Sequence, residues 1–392
     1  MAALEQTKPV ELSVLMPCLN EADTIQACVR KALKSLVDLG IEGEVLVADN
    51  GSVDGSRELA AAAGARVVHV SHVGYGSALM GGVEAARGKF ILMGDADNSY
   101  DFSDIGTFIE KLRAGYDLVQ GCRLPSGGGT IKPGAMPFLH RWVGNPLFTG
   151  LARWWFGSPV HDTNCGLRGF TKELYKRLDQ RCTGMEFANE MLIKASLCGA
   201  RITEVPITLY QDGRKAHSPH LRTFRDGWRT LRFYLLCCPR WLFLAPGAAL
   251  IIVGLAGYAL ALPRVTLFGA TLDVHTLLVA SAALMCGCQS IAFAIFTKIF
   301  AIQEGLMPPD PRMDRFYRLA NLERGLVVGV VAFCVGLLLI GIVVNEWRTV
   351  HFGPLNYSKT MRLVIPGATA ATLGLQTILS SFFLSILGMH RR

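Results

Sequence analysis

The chain has 392 residues, 51% of them hydrophobic, and a formal net charge of +8; its mean hydropathy is positive. That average excludes an ordinary soluble enzyme over the whole length. The basic excess does not point to nucleic acid, because it gathers between Arg214 and Arg240, directly ahead of the first long apolar stretch, where attraction to anionic lipid head groups accounts for it.

In chain order, the N-terminal MAALEQTKPVELS lacks a basic start followed by an apolar run, so no signal peptide is expected and the first half is expected to face the cytoplasm. LSVLMP, GEVLVAD, ARVVHV and KFILMGDAD then read as buried strands, with helices between them at 24–39, 55–63 and 76–86. Strand-helix alternation predicts a mostly parallel sheet covered on both faces. Ligands of such sheets lie at the carboxyl ends of the strands, where the polar motifs of this chain fall. A glycine-rich loop at 126–130 precedes a second segment ending near Tyr210, giving an expected catalytic domain over 1–210.

Residues 211–241 read as a basic juxtamembrane segment. Arg222, Arg225, Arg229 and Arg232 fall on one helical face and Leu221, Phe224, Trp228, Leu231 and Leu235 on another, the pattern of an interfacial amphipathic helix. Upstream, His140, Arg141, Trp142, Trp154 and Trp155 have the aromatic and basic character of a head-group layer, or of core packing. Within 242–392, four apolar stretches (242–262, 275–301, 325–344 and 363–389) each have about the 20 residues needed to cross a bilayer. Arg312, Arg315, Arg318 and Arg324 crowd the loop after the second stretch while the loop after the first holds only Arg264, which favours a cytoplasmic catalytic half; Arg348, Lys359 and Arg362 run against that orientation. Gln289 and Gln376 read as interhelical hydrogen bonds. Eleven cysteines without a CxxC pair offer neither a disulfide framework nor zinc spacing, so reduced thiols are expected.

The chemistry gathers at strand ends. Asp95 and Asp97 follow the strand KFILMG at i and i+2, which in extended chain points both carboxylates to one face. Such a pair suits a divalent cation that prefers oxygen and sits between carboxylates and substrate phosphates. PCLNE, from Pro17 to Glu21, ends the first strand, and ADNGSVDGS ends the second. There Asp49 is suited either to a base edge or ribose or to capping its own turn, while Ser52 and Asp54 read as turn caps. Gly74-Tyr75-Gly76 has the wrong glycine spacing for a dinucleotide fingerprint.

Taken in order, PCLNEADTI, VADNGSVDGS, GYGSALMGGVEAARGKFILMGDAD and GCR resemble the family-two glycosyltransferases, specifically the polyprenyl-phosphate branch that includes dolichyl-phosphate mannose and glucose synthases. The resemblance spans about residues 11–215 and implies an α/β, GT-A-like (Rossmann-like), mostly parallel sheet domain, here followed by a four-helix transmembrane region. It implies that Asp49 contacts the nucleoside of a nucleotide-sugar donor, with Pro17, Asn20, Glu21 and Asn50 nearby, that Asp95 lies near donor ribose or metal, and that Asp97 binds Mg2+ or Mn2+. Where many relatives carry glutamine two positions beyond the second aspartate, this chain has Ser99, so Ser99 or water must serve as a further metal ligand. Asp101 and Asp104 read as a helix N-terminal cap.

In the same resemblance Arg123 of GCR belongs to the acceptor phosphate, which its planar fork suits. Asp162 to Arg168 (DTNCGLR) resembles the family's D-x-x-S/C-G-F/L-R segment, which sets Asp162 and Arg168 near the phosphates. Glu190 falls either at the sugar or on a helix surface, and Arg214 and Lys215 lie where relatives close basic residues over phosphates, which puts them with Arg123 and Arg168 at the expected acceptor phosphate. Cys237-Cys238-Pro239-Arg240-Trp241 departs from the QxxRW of processive polysaccharide synthases, against polymerisation. The expected reaction is inverting transfer of a sugar, with UDP-glucose or GDP-mannose favoured as donor, to undecaprenyl or dolichyl phosphate at the cytoplasmic membrane face. A lipid phosphate with its second pKa near about 6 needs no strong base. Transfer to a lipid hydroxyl such as diacylglycerol would need one, from Asp97, Asp101 or Asp162. A flippase or transporter component with a vestigial enzyme domain is opposed by the intact aspartates and by spans without acidic residues.

Overall fold

The computed structural model describes residues 9–214, 223–305, 307, 309–310 and 322–388, and the chain forms two units, Met1–Tyr234 and Leu235–Arg392. In the first unit, β1 (Leu12–Cys18), β2 (Gly43–Asp49), β3 (Arg66–His69), β4 (Phe90–Met93) and β5 (Leu118–Cys122) alternate with α1 (Ile25–Asp38), α2 (Ser56–Ala62), α3 (Tyr75–Ala85) and α4 (Ile105–Arg113). The first three helices begin and end within a residue of the expected ones. Then follow β6 (Thr130–Ile131), α5 (Asn145–Phe156), β7 (Arg168–Thr171), α6 (Lys172–Leu178), α7 (Phe187–Leu197), β8 (Ile202–Pro206), β9 (Thr208–Leu209) and α8 (Thr223–Cys237).

Seven strands form one sheet in the order β3-β2-β1-β4-β7-β5-β8. Its neighbours pair in parallel except at β7, which runs antiparallel to both β4 and β5. The alternation of side chains builds two cores. Val14 and Met16 of β1 face the layer of α1 and α4, with Cys28, Val29, Phe108 and Leu112. Leu15, Leu46 and Ile91 face the layer of α3 and α7, with Leu79, Met191 and Leu192. Each fully buried large side chain of this kind contributes about 1.5–3 kcal/mol. The β1 and β4 ends thereby become fixed neighbours, and the loops after them carry PCLNE and the aspartate pair.

Among the described residues of the second unit, four helices are long and apolar enough to cross a membrane, Arg240–Ala261, Val274–Gln303, Leu322–Thr349 and Tyr357–Gly388; from Ala245 they are α9 to α12 in turn. Helices α9 and α10 pack together, as do α11 and α12, and α10 also meets α12. Close approach needs small residues: a Cβ on Gly374 would lie 2.5 Å from the Phe333 main-chain nitrogen. One interhelical polar link is made by Tyr258, whose hydroxyl lies 2.6 Å from Ser281 Oγ and donates to Thr369 Oγ1 at 3.2 Å. Gln376, expected in that role, has a buried Oε1 with no hydrogen-bond partner among the described residues. Lys215, Leu221, Arg222, Arg312, Arg315 and Arg318 lie outside the described residues.

Candidate active site

The loop after β1 turns sharply because Asn20 takes a left-handed backbone (φ 58°), a conformation asparagine tolerates. It is tied to the loop after β2: Asn20 N donates to Ser52 Oγ (2.9 Å), Val53 N donates to Asn20 Oδ1 (2.9 Å), and Ala22 N donates to Asp54 Oδ2 (3.0 Å). Ser52 and Asp54 therefore brace two loops as well as their own turn. Pro17 stays within β1, paired with Ala48.

Asp49 is fully buried at the end of β2 and accepts from Gly51 N (3.1 Å) and Ser52 N (3.2 Å), with His69 and Arg57 at 3.7 and 3.9 Å. Its carboxylate thus caps its own turn. Asn50, expected beside the nucleotide, has its amide engaged by main chain: Nδ2 donates to the carbonyls of Val70 (3.0 Å) and His72 (2.7 Å), and Oδ1 accepts from Gly74 N (2.7 Å). Its role in the structure is to hold the loop before α3.

That loop delivers Tyr75, whose hydroxyl donates to Asp95 Oδ1 at 2.9 Å. Burial, and after it the charge of Asp97, push the Asp95 carboxyl up to about 6, against the hydrogen bond from Tyr75 and the charges of Arg214 and Arg123. Gly166 presses on Asp95 from another side, since a Cβ there would lie 2.6 Å from Oδ2; its N–H donates to Tyr100 Oη at 2.9 Å. Tyr75 and Tyr100 were not among the expected site residues, although each adjoins a motif. Gly74 and Gly76 flank Tyr75 because any Cβ at either would collide with the carbonyls of Thr183 or Cys182.

Asp97 Oδ1 accepts from Ser99 N (3.0 Å) and Ser99 Oγ (2.5 Å), so Ser99 orients Asp97. The strand-like run after β9 lies against this turn, with Tyr210 N donating to Ser99 O and Gly213 N to Asp97 O, both at 2.9 Å. It delivers Arg214, which donates from Nη1 to Asp97 Oδ2 (3.2 Å) and Asp212 Oδ2 (2.8 Å) and from Nη2 to Glu21 Oε1 (2.5 Å). Three carboxylates raise the Arg214 pKa against the opposing effect of burial. Expected at the acceptor phosphate, Arg214 instead stands among the carboxylates assigned to donor and metal. Of the two acids expected to cap the next helix, Asp101 accepts from Ser103 N (3.1 Å), and Asp104 makes no side-chain cap.

The other side of the site is a buried fork. Arg123 donates from Nε and Nη2 to Asp162 Oδ2 and Oδ1 at 2.7 and 2.9 Å, and its main-chain N–H donates to Oδ2 at 3.1 Å. Gln120, unforeseen in the sequence, braces the same loop by donating to the carbonyls of Asp162 (3.1 Å) and Cys165 (3.0 Å). Arg123 also acts on His140, which burial and then the Arg123 charge hold below the usual histidine range. Around His140, Phe138 and Trp142 are 75% and 61% exposed.

Arg168 is a correction. It is fully buried, and its guanidinium donates to the carbonyls of Ala188 (2.5 Å) and Cys165 (2.8 Å). It braces the loop from inside and presents no surface to a phosphate. Glu190 is not on a helix surface: fully buried against Lys194 (2.8 Å), it accepts from Arg181 N (3.0 Å) and Cys182 N (2.8 Å).

Among the described residues no cluster of three or more His, Cys, Asp or Glu side chains has metal-holding geometry. The donor set at Asp95 and Asp97 is all oxygen, and a cationic group, the Arg214 guanidinium, already lies against Asp97. These residues fit a hard divalent cation that completes its shell with phosphate oxygens and water.

Residues 13–179 match the family Glycosyl transferase family 2, and residues 295–388 match the Glycosyltransferase family 2 C-terminal transmembrane region. The low-salt glycan biosynthesis hexosyltransferase of Haloferax volcanii is 36% identical over 378 residues, 96% of this chain and 89% of that protein. The chain belongs to glycosyltransferase family 2. A dolichyl-phosphate hexose transferase of the same organism is 33% identical to this family-2 glycosyltransferase over 199 residues, 50% of this chain and 82% of the relative. Among solved structures, glucosyl-3-phosphoglycerate synthase from Mycobacterium tuberculosis, in complex with Mn2+, UDP and glucosyl-3-phosphoglycerate, covers 58% of this chain and 78% of its own, with a TM-score of 0.45 and 24% identity. The family-2 enzyme has the mostly parallel sheet domain the motifs imply, followed by a membrane region with four apolar helices among the described residues.

Proposed function

We propose that this enzyme transfers a hexose, with inversion, from a nucleotide-sugar donor to a polyprenyl phosphate, and that the catalytic unit faces the cytoplasm. The observation that carries the reading is the division of charge about Asp95. Arg214 pairs with Glu21 and Asp97, Arg123 forks separately to Asp162, and the charges of both guanidiniums act on the Asp95 carboxylate. Two anionic substrates meeting at one centre need two such cationic posts. The exposed aromatic stretch beside His140, the membrane helices and the likeness to a dolichyl-phosphate hexose transferase support a lipid acceptor.

In this reading Asp97, oriented by Ser99, and Asp95, held by Tyr75, carry Mg2+ or Mn2+, which when bound would offset charge on the departing nucleotide diphosphate. Glu21 and the Asp49 turn wall the nucleotide side, and Arg214, with Lys215 next in sequence, belongs to the donor phosphates. Arg123, its fork planes fixed by Asp162, holds the acceptor phosphate so that one of its oxygens lies in line with the anomeric carbon. That oxygen forms the new C–O bond as the bond to the nucleotide diphosphate breaks. No side chain has to remove a proton, since the second ionisation of a phosphomonoester falls at about 6.

The test offers the reconstituted enzyme UDP-glucose and GDP-mannose, each with undecaprenyl phosphate, dolichyl phosphate, the free alcohols and diacylglycerol. An acid-labile glycosyl phosphodiester formed only from the phosphates is expected. An acid-stable glycoside formed from an alcohol or diacylglycerol, with none from the phosphates, overturns the acceptor assignment.

A further inference from the structure

A line of uncharged polar side chains runs through the catalytic unit, buried at Tyr234, Asn189 and Asn145 and half-buried at Asn164. Tyr234, fully buried on α8, donates its hydroxyl to Asn189 Oδ1 on α7 at 2.8 Å. Asn189 Nδ2 donates to Asn164 Oδ1 (3.2 Å), and Asn164 Nδ2 donates to Asn145 Oδ1 at the start of α5 (2.9 Å). Phe148 and Phe156 of α5 meet the Tyr234 ring edge-on, with centroids 5.9 and 5.6 Å away. Apolar side chains would fill this space with less desolvation. What the polar line adds is direction, because in a low-dielectric interior each amide must keep its partner.

The middle of the line is the loop 162–167. Besides Asn164, this loop supplies Asp162 to the Arg123 fork and sets Gly166 against Asp95. One end of the line is α8, which leads in sequence toward the first membrane span. The helix that precedes the first span in sequence is therefore hydrogen-bonded, through Asn189 and Asn164, to the loop that fixes Arg123.

We propose that Tyr234 is a positioning residue for the lipid-phosphate acceptor, acting through Asn189 and Asn164 to set the 162–167 loop and with it the Arg123 fork. The inference rests on the assignment of Arg123 to the acceptor phosphate. It couples the seating of α8 to the alignment of the acceptor through the Arg123 fork, while the donor side meets the same loop only through Gly166 packed on Asp95, so the larger effect falls on the acceptor.

The test uses the full-length enzyme in vesicles, a short-chain polyprenyl phosphate, and whichever of UDP-glucose and GDP-mannose is turned over. Tyr234→Phe keeps the ring and its packing. It is expected to lower kcat/KM for the polyprenyl phosphate about tenfold, as for one lost buried hydrogen bond, with the donor KM moving less than about twofold. Amide exchange at 160–168 should quicken. Asn164→Ala and the double variant close a cycle: a relay predicts a double variant no worse than Asn164→Ala, and losses that multiply overturn it. Unchanged acceptor kinetics in Tyr234→Phe, or equal losses for donor and acceptor, also overturn it. Arg123→Lys is run in parallel. If that variant alone leaves acceptor kinetics at wild type, the acceptor reading of Arg123 fails, and the relay is then judged by exchange at 160–168, where no change overturns it.

Discussion

Arg214 reaches Glu21 across 193 positions of sequence, its Nε donating to both carboxylate oxygens at 2.9 and 2.8 Å. The same guanidinium contacts Asp97, so a cation bound at Asp97 and the arginine draw on one carboxylate. Arg214→Ala is expected to lower kcat/KM for the donor by about 10–100-fold, as for lost charge-assisted hydrogen bonds. The Mg2+ or Mn2+ concentration at half-activation should fall in the same variant. An unchanged metal requirement would show that Arg214 does not share Asp97 with the ion.

Asp97→Asn should abolish transfer while the protein still folds, because the partners of Asp97 are the adjacent turn and Arg214 and none belong to the packed core. Chelator should silence the wild type in the same assay. Full activity in excess chelator, with normal turnover by Asp97→Asn, removes the metal assignment.

Asp162 is fully buried and forks to Arg123. Removing either charge leaves the other buried alone, a loss of about 3–5 kcal/mol. Asp162→Ala is therefore expected to reduce stability as well as activity. Arg123→Lys keeps the charge but loses the planar fork. It should raise the acceptor KM about tenfold or more with a smaller effect on the donor; equal changes in both constants would mark a purely structural pair.

Glu44 offers a pH test remote from the site. Burial alone would raise its pKa, but hydrogen bonds from Arg87 N, Ser13 and Arg66, with the Arg66 charge, hold it below its ordinary value of 4.5. A carboxyl lowered in the folded state stabilises above its unfolded pKa and loses that contribution as pH falls through the lowered value. Glu44→Gln should therefore destabilise by about 1–3 kcal/mol near neutrality, with the gap to wild type closing under strongly acidic conditions. A pH-independent difference in apparent Tm would contradict the assigned cause.

The sequence by itself determined the strand and helix order through β4, the placement of Asp95 and Asp97 at a strand end, and the four apolar spans. Each rests on a pattern that is local in the chain: alternation at period 2, helical spacing, or an unbroken apolar run. It also exposed the family, because motifs in fixed order survive without knowledge of their contacts.

Only the tertiary structure decided which groups those motifs face. RGFT is too short to announce itself, and β7 exists because β4 and β5 offer it pairing on both sides. Arg168, Asn50 and Glu190 have side chains suited to phosphate, nucleotide or sugar, and nothing adjacent in sequence reveals that main-chain carbonyls and amides, or Lys194, engage them inside the fold. Arg214 meets Glu21 and Asp97, and Tyr234 meets Asn189, only after the chain has folded back over the sheet. Residue type sets what chemistry a position can perform. The partner that selects among those possibilities is supplied by distant chain, and periodicity carries no record of it.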